Sequence, residues 1–201
     1  MNKKFSIIMR SCNDAAVIKD TLKMLFSQTE KNFELINMDN ASTDGTQEIV
    51  KKYNQNGKIF NVPAGSYVPG RVLNEAISLA EGEILVFLNS DATPADEWWL
   101  ARLTDCLEKG GHVATYSRQV ARGNALLPVR VDYMRAYPPR ENESKTVMFS
   151  LAAAAIYKKS LEKNKFYETG AGYSEDVEWA YRMLQKGYSI GYAPDSRVLH
   201  S

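Results

Sequence analysis

Three groups of carboxylates sit where chemistry is feasible. Asp91 closes Asn89-Ser90-Asp91, directly after the apolar run Ile84-Leu85-Val86-Phe87-Leu88. A carboxylate at the end of a buried strand can hold a divalent cation or accept from a sugar hydroxyl; a plain polar turn is the alternative. Asp39 opens Asp39-Asn40-Ala41-Ser42-Thr43-Asp44-Gly45-Thr46 behind a second apolar run. Its acceptor-only oxygens suit a nucleobase N–H or a ribose hydroxyl, whereas Asp44 is explained by capping the next helix. Glu175-Asp176, with Glu178, opens a segment of helical period. The helix dipole alone favours acids there. A carboxylate held at a helix N-terminus after Gly170-Ala171-Gly172 can also serve as a general base. Of the two histidines, His200 stands at the far end of the chain, as a surface residue or a ligand.

The elements that must position these groups follow from hydrophobic period. Residues 5–9, 33–38 and 58–62 read as strands, and residues 84–91 as the middle strand of a parallel sheet, buried on both faces. Helices are expected over 14–26, 46–53, 71–80 and 95–109, the third stopped by Gly82 as a C′ glycine. Thr93 is expected as the N-cap of the fourth, with Pro94 at its first position and Asp96 closing a capping box. Strands alternating with helices up to residue 115 mean βαβ units. Residues 117–140 then hold five arginines (118, 122, 130, 135 and 140) against one acid, Asp132, in a long irregular or partly helical excursion. Residues 146–157 return to the sheet. Ser174 or a neighbour caps a helix through Lys186 with Val177, Tyr181 and Leu184 inward, and residues 189–193 and 197–199 read as short closing strands.

Composition bounds the function. The 201 residues suit one domain, and 44% hydrophobic with 24% charged residues supports a globular core. A net charge of +1 argues against general nucleic-acid binding. Cys12 and Cys106 make no disulfide framework, and reduced thiols in a cytoplasmic protein are the simpler expectation. No signal peptide and no run of about 20 apolar residues is visible, which leaves room for a peripheral membrane contact. Residues 7–13 contain no glycine, so neither a nucleotidyltransferase phosphate loop nor a G-x-G-x-x-G dinucleotide turn follows the first strand.

Taken in order, Phe5-Ser6-Ile7-Ile8, Asn13, Gln28-Thr29, Phe33-Glu34-Leu35-Ile36 and the Asp39–Thr46 stretch resemble the opening of a glycosyltransferase family 2 enzyme. Arg71 and Asn74, Gly82-Glu83, Asn89-Ser90-Asp91, Tyr173-Ser174-Glu175-Asp176-Val177-Glu178-Trp179, Arg182, Gly187 and Val198-Leu199-His200 continue the resemblance over nearly the whole chain. It implies an α/β chain of GT-A fold: a mostly parallel central sheet flanked by helices, with a Rossmann-like nucleotide-binding half over about 1–115 and an acceptor-binding, catalytic half over about 116–201. It implies that Asp39 contacts the nucleobase, that Arg10, Ser11 and Cys12 line the same pocket, and that Arg71 and Asn89 lie near the donor. By the same resemblance Asp91 and His200 hold a Mg²⁺ or Mn²⁺ ion on the donor diphosphate. Asp176, beside Glu175, is the base. One base and no covalent nucleophile imply inversion at the anomeric carbon.

Two positions depart from the family pattern. Asn89 replaces the first acid of Asp-x-Asp, removing one negative charge, and Arg10 stands where proline is common. Ser117-Arg118-Gln119, Arg122 and Tyr137-Pro138 resemble rhamnosyltransferase-like members, which implies a dTDP-linked donor; a UDP-linked donor is the broader family expectation. The implied acceptor is a glycan or a lipid-linked sugar at the cytoplasmic membrane face, in cell-surface polysaccharide synthesis. The rival expectation is a non-catalytic sugar-nucleotide or glycan-binding protein, degenerate at Asn89.

Overall fold

The computed structural model describes residues 4–55, 57–140, 148–168 and 174–200. Strands β1 (Phe5–Ser11), β2 (Phe33–Asp39), β3 (Lys58–Asn61) and β4 (Ile84–Leu88) alternate with helices α1 (Ile18–Ser27), α2 (Thr46–Tyr53) and α3 (Pro69–Leu79). After them come β5 (Thr93–Pro94), α4 (Trp99–Gly110), β6 (Ala114–Ala121), α5 (Leu127–Ala136), β7 (Ala153–Tyr157), α6 (Lys158–Lys163), α7 (Glu175–Gln185) and β8 (Ile190–His200). All eight strands form one sheet in the order β3-β2-β1-β4-β7-β6-β8-β5.

The chain steps outward from β1 to β2 to β3, then returns to place β4 on the other side of β1. Crossovers between parallel strands are right-handed, so this reversal must move the connecting helices to opposite faces. The packing agrees. Ile18, Leu22 and Leu25 of α1, Val50 of α2, and Trp99, Leu103 and Leu107 of α4 bury against one face. Val72, Leu73 and Ile77 of α3, Leu161 of α6, and Trp179 and Met183 of α7 bury against the other. The loops after β1 and β4 therefore diverge and leave a crevice between them, the usual ligand position in an open α/β sheet.

Several expectations are corrected. Strand β4 is buried throughout, but it marks a change of polarity: β1 lies parallel to it and β7 antiparallel. Thr93 and Pro94 are no helix start. They pair with Leu199 and Val198 of β8, and α4 begins at Trp99, because the ladder satisfies backbone groups that a helix start would leave open. Gly82 is no C′ glycine. Helix α3 ends at Ala80 in extended backbone, and a Cβ on Gly82 would lie 2.6 Å from backbone atoms of Phe5 and Ser6. The glycine is there for close approach to β1. Strand β6 runs on through Ala121 into the basic stretch, which then forms α5. The closing strands are one strand, β8, bulged opposite Ser117 and Arg118.

Helix α7 turns its other side inward. Trp179, Ala180 and Met183 are buried, while Val177, Tyr181 and Leu184 are exposed. The larger apolar gain comes from burying the indole, whose Nε1 also donates to the Asn164 carbonyl at 2.8 Å. Ser174 is the N-cap residue of α7, as expected, but its hydroxyl donates to the Asp176 carboxylate and not to a backbone N–H. The expected glycine loop at 170–172 lies outside the described residues.

Candidate functional site

A cleft of about 330 Å³ opens between the β1 and β4 loops, lined by Arg10, Ser11, Cys12, Asp14, Asn40, Tyr67, Asn89, Ser90 and Asp91. Five expected residues thus line one cleft: Arg10, Ser11 and Cys12 from the β1 side, Asn89 and Asp91 from the β4 side. Asp14, Asn40 and Tyr67 join them without having been singled out in the sequence. Asp14 ties the loops together, its Oδ2 accepting from Cys12 N at 2.8 Å and Ser90 Oγ at 2.5 Å.

The stretch after β2 supports the floor. Asn13 N bonds Ser42 Oγ at 2.9 Å, Thr43 N bonds Asn13 Oδ1 at 2.8 Å, and Ala15 N bonds Asp44 Oδ2 at 2.9 Å. Asp44 thus braces the β1 loop, and Gly45, at φ +95°, is the N-cap of α2. Its hydrogen bonds, first from Thr46, hold the Asp44 carboxyl below the usual aspartate value. Asn13 and Ala41 both adopt positive φ, 55° and 50°, so the two loops facing each other carry local backbone strain. Asp39 is fully buried. Its carboxylate accepts from Ser42 N at 2.9 Å, Ser42 Oγ at 2.7 Å, Ser11 Oγ at 2.8 Å and Gln47 Nε2 at 2.8 Å. These four bonds fill its acceptor capacity.

Asp91 and His200 meet at one end of the cleft. The pairing of Thr93 with Leu199 brings the two residues together. Arg122, following β6, then clamps the loop by donating to the Asp91 carbonyl at 2.7 Å and Thr93 Oγ1 at 3.0 Å. His200 Nε2 lies 3.3 Å from Asp91 Oδ2. Burial pushes the Asp91 carboxyl up, but His200, with Arg122 adding to it, carries the net shift below the usual range.

The other ring nitrogen decides what Nε2 presents. Gln119 Nε2 donates to Tyr137 Oη at 2.9 Å, which turns its Oε1 to His200 Nδ1 at 2.8 Å. An amide oxygen only accepts, so Nδ1 carries a proton and Nε2 is the ring nitrogen left to face Asp91. A ring nitrogen and a carboxylate oxygen at that distance can hold either a proton or a cation between them. An imidazole and a carboxylate suit a divalent ion such as Mn²⁺. Among the described residues no cluster of three or more His, Cys, Asp or Glu side chains could hold a metal, so this pair would supply the protein's ligands.

Asp176 reaches the cleft through its neighbour. Arg10 Nη1 donates to Glu175 Oε1 at 2.6 Å and Tyr67 Oη at 3.3 Å, and Nη2 donates to Asn89 Oδ1 at 3.3 Å. Burial works against the Arg10 charge, and Tyr67 and Glu175 outweigh it. Asp176 Oδ2 accepts from Leu151 N at 3.1 Å and Oδ1 from Val177 N at 2.8 Å. Burial raises its proton affinity above that of an ordinary aspartate, Glu175 adding to the effect. Arg71 is not among the residues lining this cleft. It lies in the first turn of α3, largely exposed, 3.9 Å from Glu168.

The family model described as Glycosyl transferase family 2 matches residues 6–166. The chain belongs to this family. Among curated relatives, the O-antigen chain rhamnosyltransferase WbaN of Salmonella anatum is 28% identical over 185 residues, 87% of this chain and 58% of WbaN. The poly(ribitol-phosphate) beta-N-acetylglucosaminyltransferase TarS of Staphylococcus aureus is 37% identical over 92 residues, 44% of this chain and 16% of TarS. The TarS 1-349 crystal structure superposes with a TM-score of 0.75 at 23% identity, over 98% of this chain and 60% of that one. The mannosyltransferase PcManGT of Pyrobaculum calidifontis, solved with GDP-Man and Mn²⁺, gives 0.74 at 22% identity, over 100% of this chain and 57% of that one. The fold of this family 2 chain is therefore GT-A. The chain spans less than two thirds of these relatives' own lengths. Among its described residues no helix is long and apolar enough to cross a membrane.

Gln119, Tyr133 and Arg122 belong to the site through His200 and Asp91. In the sequence, Gln119 and Arg122 stood out through the rhamnosyltransferase-like pattern, and Arg122 also through the basic stretch 117–140. Tyr133, whose hydroxyl lies 3.2 Å from His200 Nδ1, had no such signal.

Proposed function

We propose that this family 2 chain is an inverting glycosyltransferase that moves a sugar from a UDP- or dTDP-linked donor to a hydroxyl of a glycan or lipid-linked acceptor in cell-surface polysaccharide synthesis. The reaction would take place at the cytoplasmic membrane face. The observation that carries this reading is the Asp91–His200 pair, 3.3 Å apart, on a cleft whose opposite wall is tied through Arg10 to the Glu175-Asp176 turn. In this reading residues up to about 115 receive the nucleotide and the remainder receives the acceptor.

Asp91 and His200 would hold a divalent cation, Mn²⁺ or Mg²⁺, whose chemistry is to offset charge on the leaving diphosphate. Ser11, Cys12 and Asn40 would line the nucleotide, and Asn89 would bond a donor hydroxyl through its amide. Asp39 would join the base contact by exchanging Gln47, whose Nε2 has a second acceptor in Asn61 Oδ1 at 3.3 Å. Arg71 would approach the donor only if it left Glu168. Asp176 would take the proton of the attacking hydroxyl, and its raised affinity suits that task because a base works best with a pKa near the operating pH. Glu175 holds Arg10 and so sets where the base-bearing helix begins. Attack with no covalent intermediate inverts the anomeric centre.

Calorimetric titration with UDP, dTDP and GDP, each with and without Mn²⁺, tests the donor site. Metal-dependent binding of UDP or dTDP, weakened by Asp91→Ala, is expected. Asp176→Asn should keep that binding and lower turnover by roughly 10²–10⁴-fold. A folded protein that binds no nucleotide would refute the reading. One that binds nucleotide but shows no hydrolysis or transfer in the wild type would be a sugar-nucleotide-binding protein.

A further inference from the structure

Helix α5 and the turn before it leave their apolar side chains in the open. Leu126, Leu127 and Met134 are 75%, 71% and 66% exposed, and no residue of α5 is buried. Leu127, Arg130 and Met134 fall at i, i+3 and i+7, on one side of the helix. Arg135 is exposed too, and so is Arg140 beyond the helix; Asp132 is the only acid between residues 117 and 140. Behind α5 lies a cavity of about 340 Å³, lined by Val120, Leu127, Val131, Met134, Arg118 and Arg130 among others. Arg118 contributes a buried Nε that has no hydrogen-bond partner among the described residues. Large apolar side chains exposed among arginines are unfavourable in water, but both are satisfied where hydrocarbon meets anionic headgroups.

We infer that α5 with Leu126 is a docking surface for an anionic phospholipid bilayer. Leu126, Leu127 and Met134 enter the interface, Arg130, Arg135 and Arg140 meet headgroup phosphates, and Arg118 and Arg130 offer the cavity to one phosphate. A soluble polyanionic glycan would satisfy the arginines but leave the three apolar side chains in water. A second copy of this chain would bring Arg130, Arg135 and Arg140 against the same three arginines. Tyr133, on the same helix, bonds His200, so a bilayer on α5 lies next to the donor cleft. The inference deepens the proposed transferase reading by naming the membrane on which a lipid-linked acceptor would be met. It rests on that reading for the acceptor alone.

Co-sedimentation with phosphatidylcholine vesicles, with and without phosphatidylglycerol, tests it on the full chain. Binding should require phosphatidylglycerol and weaken as salt is raised. Arg130→Gln with Arg135→Gln should weaken it about 25-fold, at about fivefold per arginine. Leu127→Ser with Met134→Ser should weaken it by about tenfold per side chain. These side chains are exposed, and circular dichroism melts check that each variant stays folded. Absence of binding at low salt, or variants that bind as the wild type does, would overturn the inference. So would concentration-dependent dimerisation that the same variants abolish. Vesicle binding without nucleotide binding would leave the inference standing and remove the transferase; nucleotide binding without vesicle binding would do the reverse.

Discussion

Arg10 and Glu175 are 165 positions apart in the chain and 2.6 Å apart in space, with 20% and 16% of their side chains exposed. Opposite charges about 4 Å apart attract by about 4 kcal/mol at an effective dielectric of about 20. Desolvating both groups takes back part of that, leaving roughly 1–3 kcal/mol between them. Arg10→Met removes the charge and also strips Asn89 Oδ1 and Tyr67 of their donor. Losing one partner of a fully buried pair costs about 3–5 kcal/mol; with residual exposure, about 2–3 kcal/mol is expected here. Glu175→Met should cost less, since the guanidinium keeps two weaker acceptors. The double variant should be more stable than the two single losses predict by roughly 1–3 kcal/mol. Urea unfolding of the four proteins, with midpoints compared at equal slope, measures this. A coupling below about 0.5 kcal/mol would mean that the contact does not tie β1 to α7, and Arg10 would lose its place in the site.

Gly82→Ala places a Cβ 2.6 Å from backbone that cannot move without disturbing β1, and should cost about 2–3 kcal/mol. For a chain of this size that is a fall of roughly 5–10 °C in Tm, and an unchanged melt would show that β1 has room to give. Gln119→Leu removes the acceptor that sets the His200 tautomer. Mn²⁺ affinity, followed by electron paramagnetic resonance of the free ion in the presence of UDP, should fall about 10–100-fold, whereas equal affinity would remove Gln119 from the site. Burial raises the Asp176 pKa above its unfolded value of 3.8. The native state therefore holds this proton to higher pH than the unfolded chain does, and ionising it costs stability as pH rises from the unfolded to the folded value. Asp176→Asn should flatten that part of the urea-midpoint profile, and the acidic limb of kcat/KM should lie above an ordinary aspartate's titration. A wild-type limb at or below 3.8 would contradict the burial argument.

The first half of the fold was legible because each βαβ unit carries its own period. Strand β4 and helix α2 have the character their apolar spacing predicts, and of the two strand-end carboxylates Asp91 lines the cleft while Asp39 is buried among Ser11, Ser42 and Gln47. The failures have a common physical cause, that the deciding contact lies far away in the chain. Thr93-Pro94 carries a good helix-start pattern, yet the free edge of β8, a hundred residues on, takes it as a strand. Gly82 reads as a helix stop because its reason, the backbone of Phe5 and Ser6, is 76 residues upstream. On α7 two stripes are apolar, and period alone does not choose between them. The sheet and Phe166 and Phe149 select the one with Trp179.

The same reasoning bears on the two residues that depart from the family pattern. Arg10 and Asn89 touch each other, so they form one arrangement. Arg10 is shared among Glu175, Tyr67 and the Asn89 amide. An aspartate at position 89 would set a second full charge against the guanidinium and compete with Glu175 for it, loosening the start of α7 and with it Asp176. The amide accepts from Arg10 more weakly than a carboxylate would. It leaves Glu175 as the stronger partner and Asp91 as the ionised side chain in its own loop, facing His200. A negative charge absent from the β4 loop thus goes with a positive charge gained on the β1 loop, and relative to the family pattern these two positions together are more positive by two charges. If the proposed transferase reading holds, such a site would lean less on a cation than one with two aspartates in the β4 loop, because Arg10 lines the cleft beside Asn89.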